Sequence, residues 1–282
     1  MPDTAHATHG TSDSMLVQVT VNSMGGSQCK LPALPGTSLV SDLALSVREH
    51  FGVPVCAQRL ILDGTILTDP SICLSEAFGM EATEVELLCV RRTLTEEEQA
   101  ELDRELVRCA ASGKPESFKE LVKEGANLQA SSGGISTMMA VIVAGDQSLL
   151  ADLKAQGIPE PDMSPQYASL AQAFRAKDFT DVARQIYSGA DVNQTLKRGE
   201  GVSGSSRGTP LMACCALHSA DEDGAYEVTQ LLLGKKADMM KGDAEGDNAL
   251  AHAKYFGANE ILDLLKSHGG HISGPFYKMF GR

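Results

Sequence analysis

The pentapeptide Gly189-Ala190-Asp191-Val192-Asn193 decides the fold of most of this 282-residue chain, because related stretches recur at near-regular intervals. The related stretches are Gly125-Ala126-Asn127-Leu128, Gly157-Ile158, Lys236-Ala237-Asp238-Met239 and Gly269-Gly270-His271-Ile272. Their first residues are 32, 32, 47 and 33 positions apart. A period near 33 is typical of a solenoid built from two-helix units. Glycine at the start of most copies suits a helix that ends in the left-handed conformation.

The sequence before each copy predicts helices. Phe118, Leu121 and Val122 are spaced by three and four, which places them on one buried helix face. A second example is Val228, Leu231, Leu232 and Leu233. A helix start is clearest at Thr209-Pro210-Leu211-Met212, where Thr209 can cap the helix and Pro210 occupies the first helical position.

Residues 102 to 272 resemble ankyrin repeats. Thr209-Pro210-Leu211-Met212 matches the family's Thr-Pro-Leu-His with Met212 in place of His, and looser versions begin at Asn248, Thr137 and Ala168. The extra residues of the 47-residue step divide into 8 between units and 6 between the helices of the fourth unit. The resemblance implies an all-α solenoid of about five repeats over 93–272, whose first helix is extended as a connector. It also implies that the concave helix face holds a client protein.

Residues 15–92 follow a different pattern. Val17, Val19 and Val21 alternate with polar residues, which predicts a strand, and residues 24–27 form a hairpin turn. Ser38 is expected to open a helix with Leu39, Leu43 and Val47 on one face. Strands are predicted at 58–62 and 85–90, with Leu67 and Phe78 contributing to the core. A strand, a hairpin, a helix and further strands make a β-grasp pattern, so the whole chain is predicted as α+β.

This N-terminal stretch is similar to ubiquitin-like domains. The motifs that carry the resemblance are Gly52-Val53-Pro54, residues 58–62 and residues 63–67. The resemblance implies a docking patch at Met24, Ile61 and Leu88, and Ile61 must face outward if Leu60 and Leu62 face inward. Single exposed apolar residues are also common without any function. Glu86 replaces a histidine that ubiquitin has beside the patch, which leaves the partner preference open.

The insert at 194–208 matches two enzymatic motifs by letter. Gly199-x-Gly201-x-x-Gly204 resembles a dinucleotide fingerprint, but no buried strand precedes it. Gly204-x-Ser206-x-Gly208, with His218 and His252 downstream, resembles a nucleophile elbow, which would make the protein a serine hydrolase. An elbow needs a sheet that the repeat pattern does not supply. We expect a mobile finger or a plain solvated loop. In the finger interpretation, Lys197, Arg198 and Arg207 form a basic spot for an acidic partner.

A second insert, residues 218–226, contains Asp221, Glu222 and Asp223 in a row. Their spacing does not fit a calcium loop, so a solvated loop without metal is expected. The seven cysteines include no Cys-x-x-Cys pair and are expected to be free thiols in a reducing compartment. No metal or cofactor is expected.

The two ends of the chain and its net charge give further expectations about order and partners. Residues 1–14 are expected to be a disordered tail, and the aromatic tail 273–282 either caps the last repeat or is a docking motif. A net charge of -13 argues against nucleic acid and anionic membranes as partners. No apolar run approaches the ~20 residues of a membrane span. We therefore expect a cytoplasmic or nuclear protein.

These observations predict a non-enzymatic adaptor. By resemblance, the ubiquitin-like module docks a ubiquitin-receptor or proteasome-type partner while the ankyrin face holds a client. The alternative is a structural subunit in which both domains serve as rigid packing modules of a larger assembly. The identity of the client and the oligomeric state do not follow from the sequence.

Overall fold

The chain divides into two compact units, Met1–Thr95 and Glu96–Arg282. The structure is a computed structural model that describes residues 16–79, 82–197 and 208–275. The predicted N-terminal tail and residues 276–282 of the predicted C-terminal tail lie outside the described residues. Each unit has its own hydrophobic core.

The N-terminal unit is a mixed sheet with helices. Its strands are β1 (Leu16–Ser23), β2 (Gln28–Lys30), β3 (Leu34–Pro35), β4 (Gln58–Leu62), β5 (Thr65–Ile66) and β6 (Glu84–Arg91), and its helices are α1 (Val40–Phe51), a 3-10 turn (Val55–Ala57) and α2 (Leu74–Phe78). The sheet order is β2-β1-β6-β4-β5, and β3 pairs with the start of β1. Strands β1 and β6 are parallel at the centre, and the other pairs are antiparallel. This is the predicted β-grasp arrangement.

The alternating valines of β1 decide which face of the sheet is buried. Val17, Val19 and Val21 are at most 1% exposed and share one core with Leu43 and Val47 of α1. Helix α1 therefore covers the inner face of the sheet, and the residues between the valines face away from it.

Helix α1 begins later than predicted. Leu39 is the residue before the helix rather than part of its buried face, and its side chain is 39% exposed. The Asp42 carboxylate accepts a hydrogen bond from the Leu39 N–H at 2.8 Å, which satisfies a helix donor that would otherwise be unpaired. Because the start is fixed there, Val40 takes the buried position expected of Leu39.

Within the described residues, the C-terminal unit contains ten α-helices arranged along the chain as five pairs. The pairs are α3 (Glu96–Ala111) with α4 (Pro115–Glu124), α5 (Thr137–Ala144) with α6 (Gln147–Ala155), α7 (Leu170–Ala176) with α8 (Phe179–Tyr187), α9 (Pro210–Leu217) with α10 (Glu222–Gly234), and α11 (Ala249–Phe256) with α12 (Asn259–Ser267). A hairpin of β7 (Ser131–Ser132) and β8 (Ile135–Ser136) precedes α5. The predicted helical class of this unit is confirmed.

The recurring stretch has the same backbone conformation in every copy. The first residues Gly125, Gly157, Gly189, Lys236 and Gly269 have φ angles of 101°, 77°, 90°, 64° and 84°. Two residues further on, Asn127, Asp191 and Asp238 accept hydrogen bonds from backbone N–H groups at 3.0, 2.8 and 2.9 Å. In these three copies the signature combines a left-handed helix end with an Asx turn, whereas Pro159 and His271 occupy the equivalent position in the other two.

The helix starts agree with the prediction in two units and differ by one residue in two others. Thr209 caps α9 and Asn248 caps α11, accepting from backbone N–H groups at 3.4 and 3.0 Å. Helices α5 and α7 are capped by Ser136 and Ser169, not by Thr137 or Ala168, where the looser matches begin. A serine hydroxyl beside each predicted position supplies the oxygen that a cap requires.

The second insert is not a solvated loop, so that prediction is wrong. Its acidic residues begin α10, and Asp221 caps the helix by accepting from the Gly224 N–H at 2.9 Å. Glu222 and Asp223 occupy the first turn, where negative charge is favourable near the helix N-terminus. The extra residues therefore lengthen α10 to 13 residues.

Helix α10 lies at the centre of the C-terminal unit. It packs against α3 and α5 of the first two pairs, and also against α8, α9 and α12 of the last three. Its buried residues surround the helix: Gly224, Ala225, Glu227, Val228, Thr229, Gln230, Leu231 and Leu232. A linear solenoid makes contacts only between neighbouring units. The contact of α3 with α10 joins the first unit to the fourth. Helices α3 and α5 of the first two pairs therefore cover α8 and α10, the second helices of the third and fourth pairs.

Lys236→Gly is expected to stabilise the protein by about 0.5–1 kcal/mol, because glycine adopts a left-handed backbone without the Cβ penalty that lysine has. Lys235→Gly is the matched control, since exposed Lys235 has φ -87° and gains nothing from glycine. Urea unfolding monitored by circular dichroism measures both variants. A Lys236→Gly protein no more stable than the parent would contradict the left-handed assignment.

Gly133→Ala is expected to cost about 2 kcal/mol or more, because a Cβ there would overlap the backbone of Gly224 in α10. Gly145→Ala is the control, because Gly145 is also left-handed, at φ 88°, but has nothing within 4 Å of its added Cβ. The control is expected to lose only about 1 kcal/mol. Equal losses in urea unfolding would argue against the packing of the β7–β8 hairpin on α10.

Candidate functional site

The outer face of the sheet carries an apolar strip, defined here as Ile61, Ile66, Leu88 and Val90. Ile61 of β4 is directly opposite Leu88 of β6 and, on its other side, opposite Ile66 of β5. Ile61, Leu88 and Val90 are half-buried, and Ile66 is 41% exposed. Leu60 is in the core and Leu62 packs against it. The predicted outward orientation of Ile61 is therefore confirmed.

Met24 lies in the turn that follows β1, the strand next to β6. Its side chain is 73% exposed. The turn is closed by hydrogen bonds from the Ser23 N–H to the Ser27 carbonyl at 2.8 Å and from the Gly26 N–H to the Ser23 carbonyl at 3.0 Å. The structure thus brings Ile61 and Leu88 together as a cross-strand pair, and Met24 lies at the end of the neighbouring strand.

Ile66 and Val90 were missed in the sequence. The signal for Ile66 was the Asp63-Gly64 dipeptide, whose φ angles of 49° and 82° are those of a tight two-residue hairpin turn. Such a turn fixes the register, and the register places Ile66 opposite Ile61. Val90 follows from the alternation of β6, in which Val85, Leu87 and Cys89 are buried.

The first insert is closed at its base by Leu196 and Gly208. These residues exchange two backbone hydrogen bonds of 2.8 and 3.0 Å, and Leu196 is fully buried. Lys197 is exposed at the start of the insert. Arg198, Ser206 and Arg207, which carry the basic-spot and hydrolase predictions, lie outside the described residues.

The histidines considered for the hydrolase alternative bind groups of the helical unit. His252 is 8% exposed, and its Nε2 lies 2.9 Å from the Asp243 carboxylate. His218 Nδ1 lies 3.1 Å from the Cys215 carbonyl oxygen. Asp243 also accepts from the Glu245 and Asp247 N–H groups, so the His252–Asp243 pair braces the turn before α11.

The seven cysteines, all of which lie in the described part of the chain, form no disulfide with one another. Burial raises the pKa of Cys214 to about 12 and also raises that of Cys215, so both remain protonated at neutral pH.

Among the described residues, no group of three or more His, Cys, Asp or Glu side chains is arranged to hold a metal ion. No helix in that part of the chain is long and apolar enough to cross a membrane.

An ionic cluster around Arg108 joins three helices of the C-terminal unit. From α3, the Arg108 guanidinium lies over the Tyr226 ring of α10, 4.1 Å from its centroid. It is 2.9 Å from Glu260 of α12, and on α10 it is 3.7 Å from Asp223 and 3.6 Å from Glu227. No local sequence pattern indicates this cluster, because its members come from the first, fourth and fifth units.

Glu227 is the most buried member of the cluster. Its side chain has no exposed surface, and its Oε1 accepts a hydrogen bond from the Ser132 hydroxyl at 3.2 Å. Its Oε2 has no hydrogen-bond partner among the described residues. Burial raises the pKa of Glu227 to about 8, although Arg108 acts to lower it. Burial thus favours the protonated form of Glu227, and Arg108, which also lies near Asp223 and Glu260, only partly offsets that effect.

A cavity of about 470 Å³ lies beside this cluster. It is lined from α3, α10 and α12 by side chains of both charges, among them Glu105, Arg108, Gln230, Glu260 and Asp263. The arrangement braces helices against one another. Burial raises the pKa of Cys109, which lines the cavity, to about 11. The Ser267 hydroxyl, also in the lining, lies 3.4 Å from His268 Nδ1 but donates to the Leu264 carbonyl oxygen at 2.7 Å, a contact within its own helix.

The comparisons with known proteins concern the N-terminal part of the chain. No family model matches the chain. Similar solved structures include a ubiquitin from Caldiarchaeum subterraneum, with 18% identity, coverage of 28% of this chain and 96% of that chain, and a TM-score of 0.25. The ubiquitin-like domain of Plasmodium falciparum Dsk2 has 31% identity, coverage of 28% and 100%, and a TM-score of 0.25. A ubiquitin-like domain from Arabidopsis thaliana has 19% identity, coverage of 33% and 95%, and a TM-score of 0.26.

The fold assignment rests on the strand order and register rather than on these comparisons. Parallel central strands β1 and β6, antiparallel β2 and β4 beside them, and a helix across one face define a β-grasp fold. The described residues of the C-terminal unit form a mainly helical domain with a single continuous core.

Glu227→Gln is expected to abolish a fall in stability between pH 4.5 and 8. In that window the folded carboxyl, with a pKa of about 8, holds a proton that the unfolded carboxyl, with a pKa near 4.5, has lost. Stability from this group is therefore full below pH 4.5 and is lost as pH rises, by up to about 1.4 kcal/mol per unit.

The measurement is urea unfolding of both proteins from pH 5 to 8.5. Glu222→Gln removes an exposed carboxyl from the same helix and controls for the change in net charge. If Glu227→Gln and the parent keep the same pH slope, Glu227 is ionised in the folded protein.

Proposed function

We propose that this protein is a non-enzymatic adaptor that binds one protein through the outer face of its ubiquitin-like domain and a second through its helical unit. The observation that carries the proposal is the apolar strip, opposite the face covered by α1, with Met24 73% exposed beside β1. Adjacent apolar side chains on a sheet face are stabilised when a partner removes them from water. By resemblance, the expected partner is of the ubiquitin-receptor or proteasome type.

The helical unit is proposed to consist of ankyrin-type repeats. Support comes from the five left-handed helix ends and from a stacking contact between the third and fourth units. In that contact, the Asn193 side chain accepts from the Asp238 N–H at 2.7 Å, and Lys241 donates to the Asn193 carbonyl at 2.7 Å. Because α3 and α5 pack against α10, the proposed client surface is restricted to the first helices α7, α9 and α11 and to the turns.

Two exposed side chains, Tyr255 and Lys197, suit a client bound at the first helices and the turns. Tyr255 of α11 is 59% exposed, and aromatic side chains are favoured anchors at protein interfaces. Lys197 is exposed where the first insert begins. With Arg198 and Arg207 it forms the proposed basic spot for an acidic partner.

Ile61→Ala is expected to weaken binding of a ubiquitin-receptor domain at least about tenfold, because it truncates the centre of the strip. The full-length protein, labelled at Met, Ile and Leu methyl groups, is titrated with a panel of such domains by NMR. The methyl signals of Met24, Ile61 and Leu88 are expected to shift together.

Leu45→Ala is the matched control, since Leu45 is 42% exposed on α1, away from the strip. It is expected to bind as the parent does. Shifts at the strip that persist unchanged in Ile61→Ala, or no shifts with any domain of the panel, would reject this docking surface.

A further inference from the structure

The outer face of β6 is divided into an acidic half and an apolar half. Its outward residues are, in chain order, Glu84, Glu86, Leu88 and Val90. Both glutamates are exposed, and both apolar residues belong to the strip. Residues two apart on a strand are separated by about 7 Å, so Glu86 lies one such step from Leu88 and Glu84 lies two.

The neighbouring strands do not neutralise the acidic half. Glu84 is opposite Gln18 and Glu86 is opposite Thr20, both of which are uncharged. Among residues 16–79, 82–197 and 208–275, neither carboxylate forms an ion pair. The nearest cation across the strands is Lys30, opposite Thr20 and hence about two strand spacings, or 10 Å, from Glu86. At that distance between exposed groups, salt screens most of the attraction.

Apart from Lys30, the other strand residue of this face that carries a charge is at the apolar half. Arg59 of β4 is exposed and directly opposite Val90. The charge along β6 therefore changes sign, from the carboxylates of Glu84 and Glu86, past the apolar strip, to the guanidinium of Arg59. A partner that covers the strip must bring groups of its own against both ends.

An amphipathic helix has the spacing that this pattern requires. Side chains at i and i+4 are about 6 Å apart, close to the 7 Å between Leu88 and Glu86. A helix with an apolar residue on Leu88 would present its residues at i+4 and i+8 to Glu86 and Glu84. Acidic residues there would face like charge, whereas Lys or Arg would form ion pairs.

We propose that the outer face of this domain selects amphipathic helices that carry Lys or Arg one and two turns from their apolar anchor. The proposal rests on the docking function proposed above and specifies its partner. Glu84 and Glu86 are the specificity-determining residues. The selection acts through exposed charges, so it is strongest at low ionic strength.

The test uses two helical peptides with the same apolar residues, one with Lys and one with Glu at positions i+4 and i+8. Binding to the full-length protein is measured by fluorescence anisotropy at 50 and 300 mM salt. Methyl NMR locates each peptide on the strip. The Lys peptide is expected to bind about three- to tenfold more tightly at 50 mM salt, and the difference is expected to shrink at 300 mM.

Glu86→Lys is expected to remove or reverse this preference. Glu49→Lys is the matched control, because Glu49 is an exposed carboxylate on α1 and gives the same change in net charge. It is expected to leave the preference for the Lys peptide intact.

The outcomes separate the two proposals. If both peptides shift the methyl signals of the strip but bind with equal affinity, or if Glu86→Lys behaves as Glu49→Lys does, the charge selection is wrong and the docking surface stands. If neither peptide shifts those signals, or if Ile61→Ala leaves binding unchanged, the docking function fails and the selection fails with it.

Discussion

The burial of α10 on all sides is the constraint on which the helical unit depends. Its buried residues, including the polar Glu227, Thr229 and Gln230, lie on every side of the helix, and a helix buried on every side is stable only inside a core. Helices from both ends of the unit therefore pack against it, and the core is a single cluster from Leu106 to Leu265. The same packing withdraws Glu227 and Arg108 from water. Burial favours the protonated form of Glu227, and stacking on Tyr226 lowers the cost of burying Arg108.

The N-terminal unit buries its apolar residues differently, with a sheet that is covered by a helix on one side. Alternation along β1 and β6 sends one set of residues toward α1 and leaves the other set facing outward. Because α1 buries only the inner face, apolar residues on the outer face remain available to a partner. The register then decides which of them are adjacent, and it brings Ile61, Ile66 and Leu88 into one row. The proposed binding surface is thus a consequence of the strand register, with charges on β6 added at one end.

Prediction from the sequence succeeded where the deciding forces are local. The left-handed helix ends, the caps at Thr209 and Asn248, and the β1–β2 turn depend on residues a few positions apart. It failed at Leu39, where an Asp42 hydrogen bond competed with the apolar pattern, and at Asp221, where three acids suggested a loop rather than a helix start. Of the candidate site, Met24, Ile61 and Leu88 came from a resemblance. Ile66 could have been found from the two-residue turn that fixes its register.

The sequence by itself determined the two-unit organisation of elements: a β-grasp pattern of strands and a helix, followed by paired helices with a common turn. Periodicity, capping and turn chemistry carry that information over short distances. Only the tertiary structure decided that α3 and α5 pack over α8 and α10, and that Arg108 meets carboxyl groups from two other helices. The physical reason is that hydrophobic burial has no direction and no preferred sequence separation. An apolar helix face is stable only when it is covered, and the three-dimensional packing decides which element covers it.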